Sequence, residues 1–277
     1  MQLSDFRISL CLGLAILAGC SSSPSSRVSQ SDGVSPYHPP PADMAAIPDA
    51  TPKDEPKSKY GNPNSYVVFG KRYYTLSNSQ GYNARGIASW YGSKFHGQRT
   101  SSGEPYDMYA MTAAHKSLPL PSYVRVTNLR NKRSVVVKVN DRGPFHDNRL
   151  IDLSYTAAWK LGIIGEGTGL VEVTALEAES AEPTPTRVVA TPVRPEKQRL
   201  PELFLQVGAF GDSQNAQRLK QRLGEQLNTH VLIQGDSAVA NRVYRVQVGP
   251  IASVELADHL SQRLRQLGIE NPHVVIR

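Results

Sequence analysis

Glu104, His115 and Asp141 are the residues of this 277-residue chain whose types and settings could do acid–base chemistry. Glu104 lies in Thr100-Ser101-Ser102-Gly103-Glu104-Pro105-Tyr106-Asp107, a glycine-containing loop. His115 lies in Met111-Thr112-Ala113-Ala114-His115-Lys116, and Asp141 closes an apolar run in Val137-Lys138-Val139-Asn140-Asp141-Arg142-Gly143-Pro144. Carboxylates in loops and at strand ends could serve as general acid and charge stabiliser on a glycosidic bond. The same residues admit structural readings: a turn at Asp141, a solvated loop charge at Glu104, a hydrogen-bonded interior histidine at 115. Spacing alone leaves both sets open. The histidines show no metal-ligand spacing. The 2 cysteines, Cys11 and Cys20, leave the body of the chain without disulfide, cysteine metal site or thiol nucleophile, so no metal and no cofactor is expected.

These residues need a scaffold, and the pattern of the middle of the chain supplies one. Short runs rich in β-branched residues occur at Gly86–Tyr91, Tyr123–Asn128, Ser134–Asn140, Ile151–Leu153 and Leu170–Ala175. Turn residues separate them, which predicts a small barrel or sandwich over 65–176. Tyr155–Leu161 reads as a helix with Ser154 as its N-cap.

Beyond a proline-rich break at 177–201, residues 202–277 contain an internal repeat. Gln206-Val207-Gly208 recurs as Gln247-Val248-Gly249. Each copy is followed by an amphipathic helix, with Ala216, Leu219, Leu223 and Leu227 on one face, then Leu256, Leu260, Leu264 and Leu267. Asp212 and Ser253 occupy N-cap positions. Val231–Gln234 and His273–Ile276 add strands, giving β-α-β-β-α-β: a four-stranded antiparallel sheet with helices on one face and the other face open.

The hydrophobic share of 39% and 20 prolines point to unstructured segments as well. The net charge of +7 suits a polyanionic partner or surface without choosing among nucleic acid, cell wall and membrane. Residues 1–19 have the layout of a secretory signal, and its apolar core is too short to span a bilayer. Leu17-Ala18-Gly19-Cys20 resembles the bacterial lipobox, which implies lipidation at Cys20 and, with Ser21 following, an outer-membrane anchor facing the periplasm. Residues 20–64, rich in Ser, Pro and Asp, read as a flexible tether.

Gly86 to Gly92, Phe95-His96-Gly97, Thr100 to Asp107, Thr112 to Pro119 and Asn140 to Phe145 resemble the double-psi β-barrel of the rare lipoprotein A family. Leu203–Phe210 and Tyr244–Gly249 resemble the SPOR domain often found at that family's C-terminus. The resemblance implies a mostly β plus α+β chain: a six-stranded double-psi β-barrel, then a ferredoxin-like SPOR domain, with disordered linkers. It implies an endolytic lytic transglycosylase. Such an enzyme cleaves the bond between N-acetylmuramic acid and N-acetylglucosamine in glycan strands stripped of stem peptides, leaving 1,6-anhydro ends at the division septum. The family's catalytic acid falls on Glu104, with His115 and Asp141 in support, His115 orienting the acid or binding substrate. A raised Glu104 pKa is expected, with Asp141 as the neighbouring negative charge. Ser101-Ser102-Gly103 stands where Ala-Asn-Gly is common in the family.

Tyr91, His96, Thr100, Tyr106, Asn140 and Arg142 are the expected sugar-binding residues of the barrel; Trp90 is expected in its core. Gln206, Phe210, Asn215, Tyr244, Arg245 and Gln247 are those of the SPOR sheet. Few aromatics on its central strands argue against RNA, so denuded glycan is the expected partner, with divisome or amidase proteins besides. A barrel that holds polysaccharide without cleaving it, as expansins do, is the alternative, and a scaffold recruiting other enzymes a third.

Overall fold

The computed structural model describes residues 41–178, 200–235 and 243–277. The signal sequence, Cys20 and most of the 177–201 linker lie outside the described residues. The first elements among the described residues are a hairpin, β1 (Ser65–Val68) and β2 (Lys71–Tyr74). The barrel follows: β3 (Asn83–Trp90), β4 (Thr112–His115), β5 (Ser122–Asn128), β6 (Ser134–Asp141), β7 (Arg149–Leu153), helix α1 (Tyr155–Leu161) and β8 (Gly169–Leu176). The six strands close in the order β3-β7-β4-β6-β5-β8. Two neighbouring pairs, β3–β7 and β4–β6, are parallel, and the other four are antiparallel.

Alternation selects the interior. On β6, Val135, Val137 and Val139 are buried, while Val136 and Lys138 point outward. Val124 and Val126 of β5, and Val171 and Val173 of β8, meet them inside. Gly86 permits the close approach of β3 to the start of β7, because a Cβ there would sit 2.6 Å from Leu150 Cβ. Ser154 caps α1 by accepting from Ala157 N, as its position predicts.

Residues 49–62, expected as the end of a flexible tether, instead form a strap across the barrel. Short β4 pairs with β6 only from Lys138 onward. The strap covers the edge that this leaves: Ala50 N donates to Val136 O at 3.0 Å, and Val136 N donates to Asp49 Oδ2 at 2.9 Å. Further along, Ser58 N and Asn62 Nδ2 both donate to Leu120 O, and Asn62 Oδ1 accepts from Leu120 N at 2.8 Å. Polar side chains and backbone groups hold this strap, so its sequence carries no apolar periodicity.

The C-terminal unit comprises β9 (Leu203–Phe210), α2 (Ser213–Gln226), β10 (Val231–Gly235), β11 (Tyr244–Ile251), α3 (Val254–Gln266) and β12 (His273–Ile276). Its sheet order is β10-β11-β9-β12, all antiparallel. Asp212 and Ser253 cap the two helices as expected. Leu205, Val207, Val246 and Val248 of the sheet pack with Ala216, Leu219, Leu223, Leu260 and Leu264 of the helices.

Candidate active site

The loop carrying Glu104 is a closed turn. Thr100 N donates to Glu104 O at 2.8 Å, Gly103 N donates to Thr100 O at 2.9 Å, and the buried Thr100 Oγ1 donates to Glu104 O. Gly103 has φ +95°, a left-handed conformation that suits glycine. The turn is fastened to the end of β6. Ser102 N donates to Asn140 O at 3.2 Å, and Asp141 Oδ1 accepts from Ser101 N at 2.8 Å and from Ser101 Oγ at 2.6 Å. Ser101, one of the departures from the family's usual loop, therefore adds a bond to Asp141.

Glu104 itself is half exposed. Its carboxylate accepts from Asn140 Nδ2 at 2.9 Å and from Lys138 Nζ at 2.9 Å. Burial pushes the carboxyl up, but the bonds from Asn140 and Lys138 and the Lys138 charge outweigh it, and Glu104 sits below the ordinary glutamate range. The sequence predicted the opposite direction, with Asp141 as the neighbouring negative charge. Asp141 is instead engaged with the loop, and the carboxylate that presses upward on Glu104 is Glu55 of the strap. Lys138 holds both glutamates.

His115 is 2% exposed and does not reach Glu104 through any of its hydrogen bonds. Its Nδ1 accepts from Leu118 N at 3.0 Å and Ser117 N at 3.2 Å. That leaves the proton on Nε2, 2.9 Å from the Tyr82 hydroxyl. Burial, then the charges of Arg142 and Lys116, push its pKa down to about 3, so the ring is neutral. Arg142 is likewise spent inside: Nε donates to Gly61 O at 2.8 Å, Nη1 to His115 O and Leu118 O, and Nη2 to Asn62 Oδ1. Both were expected to serve substrate or the acid; the structure makes them ties between the strap, β4 and the following loop.

Of the other barrel residues, Asn140 is brought onto Glu104, while Thr100 builds its loop. Tyr106 is buried, stacks on Tyr91 at 4.1 Å and donates its hydroxyl to Tyr91 O, so this pair is packing rather than an open sugar platform. His96 Nδ1 accepts from Met108 N at 3.2 Å. Trp90 packs edge-on to Tyr155. Among the described residues no three His, Cys, Asp or Glu side chains gather as metal ligands.

On the C-terminal sheet, Gln206 and Gln247 are paired across β9 and β11, and Arg245 lies two residues before Gln247. Arg277, which the sequence reading missed, donates to both Gln247 and Gln234 and lies over the Phe204 ring at 4.5 Å. Phe210 and Tyr244 are register partners and pack against the hydrophobic core beneath the helices, opposite to their expected placing on the open face. Asn215 is exposed in the first turn of α2 and accepts from Arg218.

Residues 83–174 match the family described as lytic transglycolase, and residues 202–276 match the SPOR domain. The chain is 41% identical over 259 residues to the endolytic peptidoglycan transglycosylase RlpA of Vibrio cholerae, covering 94% of this chain and 92% of that protein. It belongs to the RlpA family. RlpA of Pseudomonas aeruginosa strain UCBPP-PA14 is 39% identical over 84% of this chain and 82% of its own length. RlpA of Neisseria meningitidis Z2491 is 42% identical over 73% and 79%. Family membership thus extends across barrel and SPOR domain together, and the Glu104 loop falls inside the matched transglycolase region.

Proposed function

We propose that this chain is an endolytic lytic transglycosylase with Glu104 as its single acid and base. The observation that carries the reading is the placement of Glu104: a half-exposed carboxylate on a loop pinned to β6, in the matched transglycolase region. Once protonated, Glu104 gives its proton to the glycosidic oxygen as the C1–O bond at muramic acid breaks. The sugar's own 6-hydroxyl then closes on C1 and returns its proton to Glu104. No water enters, so no second carboxylate is needed to activate one. Asn140 orients the carboxylate, and Asp141 acts on it through the Ser101 bonds that hold the loop. The buried His115 supports the turn at 115–118.

The substrate of this reading is peptidoglycan glycan freed of stem peptides. The open sheet face, with Gln206, Arg245 and Arg277, is the proposed glycan contact of the SPOR domain, which would bring the enzyme to the septum; Gln247, expected there too, is 1% exposed and accepts from Arg277 instead. A lipid on Cys20 would hold it to the outer membrane on the periplasmic side, within reach of divisome or amidase partners.

The Lys138–Glu104 pair favours one rival: a glycan-binding protein whose glutamate stays ionised and cleaves nothing. One experiment separates the two. The chain from residue 21 onward and its Glu104→Gln variant are incubated with amidase-stripped peptidoglycan, and 1,6-anhydro ends are sought by mass spectrometry. Ends that appear with wild type and vanish with the variant are expected. Binding by both proteins with ends from neither would support the rival.

A further inference from the structure

The strap ahead of the barrel brings a second carboxylate to the site. Lys138 Nζ lies 2.9 Å from Glu104 Oε1 and 3.2 Å from Glu55 Oε2. Glu55 also accepts the Tyr123 hydroxyl from β5. Residue 55 lies outside the matched transglycolase region of 83–174. We propose that Glu55 is a positioning residue of the catalytic site: it shares Lys138 with Glu104 and keeps that ammonium partnered whenever Glu104 carries a proton.

The proposal rests on the reading of Glu104 as the acid, and its logic is electrostatic. A general acid must hold a proton before it acts, yet an ammonium 2.9 Å away favours the ionised form. If Lys138 had Glu104 alone, each protonation would leave a largely buried ammonium, 21% exposed, without a counter-charge. Glu55 supplies that counter-charge from the other side, and its own charge repels a charged Glu104. The hydrogen bond from Tyr123, then the bond and charge of Lys138, keep Glu55 below the ordinary glutamate range, so it stays ionised for this task.

The groups facing this triad come from every element packed on it. β6 gives Lys138, Asn140 and Asp141, the last engaged with Ser101. The strap gives Glu55 and, at longer range, Lys53. β5 gives Tyr123. The loop gives Arg99, whose Nη1 donates to Gly103 O at 3.0 Å. Glu55 is the carboxylate among them that shares Lys138 with Glu104.

The test is the pH dependence of kcat/KM on amidase-stripped glycan, with the full chain in detergent, for wild type, Glu55→Gln, Glu55→Asp and Glu104→Gln. The rate falls as pH rises and Glu104 loses its proton. In Glu55→Gln this alkaline limb is expected at lower pH by about half a unit or more, with KM unchanged. Above both midpoints the rate then drops about threefold at fixed pH. Glu55→Asp, which keeps the charge, is expected to keep the wild-type midpoint. A Glu55→Gln limb that coincides with wild type overturns the proposal and leaves the Glu104 reading intact; cleavage by Glu104→Gln overturns the Glu104 reading itself. Should Glu55→Gln fail to fold, carboxyl carbon NMR titration of the wild type decides. Curves for Glu55 and Glu104 that each bend at the other's midpoint are expected, and two independent curves refute the coupling.

Discussion

Each polar residue of the site is defined by what it is bonded to. Asp141 holds the Glu104 loop by two bonds to Ser101, and only one of them needs the serine hydroxyl. Ser101→Ala removes that bond and the one the hydroxyl accepts from Arg142 N, at a cost of about 1–2 kcal/mol in loop order. Asp141→Asn weakens both. The expected result in single-turnover assays is a modest fall in kcat for Ser101→Ala and a larger one for Asp141→Asn, with glycan binding kept in both. An Asp141→Asn rate equal to wild type would contradict the clamp.

His115 makes a prediction in pH rather than in rate. Its folded-state pKa of about 3 lies below the ordinary 6.5. Between those values an unfolded chain takes a proton that the folded one refuses, so stability falls as pH drops through this window. At pH 5 the loss amounts to about 2 kcal/mol. Urea denaturation at pH 7 and pH 5 should show wild type losing about that much more than His115→Gln, and equal losses would place the ring elsewhere.

At the scale of elements, the site depends on close contacts between strands. Gly86 lets β3 lie against the start of β7; a methyl there would meet Leu150 Cβ at 2.6 Å, between atoms that backbone holds in place. Gly86→Ala should therefore destabilise the barrel by about 1–3 kcal/mol through overpacking, read as a lower melting temperature. The strap matters for a different reason. It completes the edge of β6 at Val136 and delivers Glu55 to Lys138 from the same segment, so that barrel closure and active-site electrostatics share one covalent support.

At the scale of the whole molecule, the barrel and the C-terminal domain are joined by a polar clamp. Arg149 at the start of β7 pairs with Asp258 of α3 at 2.8 Å, and its side chain is only 11% exposed. The buried Asn148 donates to Asp258 and to Ser261 of α3. Leu129 and Leu170 of the barrel join the cluster that contains Leu203 and Val254 of the C-terminal domain. Removing one partner of a largely buried ion pair costs more than the pair contributes, because a charge is left uncompensated. Asp258→Ala is expected to split one calorimetric transition into two as the domains uncouple. A single unshifted transition would show that the clamp carries no coupling.

Period and punctuation were enough to determine much of this protein. The alternation of Val135, Val137 and Val139, the leucine faces of α2 and α3, and the caps at Ser154, Asp212 and Ser253 are local signals, and each element formed where its pattern placed it. Glu104 and Asp141 stood out by lying in a glycine loop and at the end of an apolar run, but spacing alone left their roles open. β4 escaped because Ala113, Ala114 and His115 are all buried, which erases the alternation a half-buried strand would show. Lys138 drew no reading of its own within the Ser134–Asn140 run, and Glu55 fell in the expected tether, 49 positions before Glu104. Only closure of the barrel brings them together. The same closure decided that Arg142 and His115 face inward onto backbone groups and that Phe210 and Tyr244 lie under the helices. A side chain's type determines which bonds it can make; the distant segments folded against it determine which of them are already made.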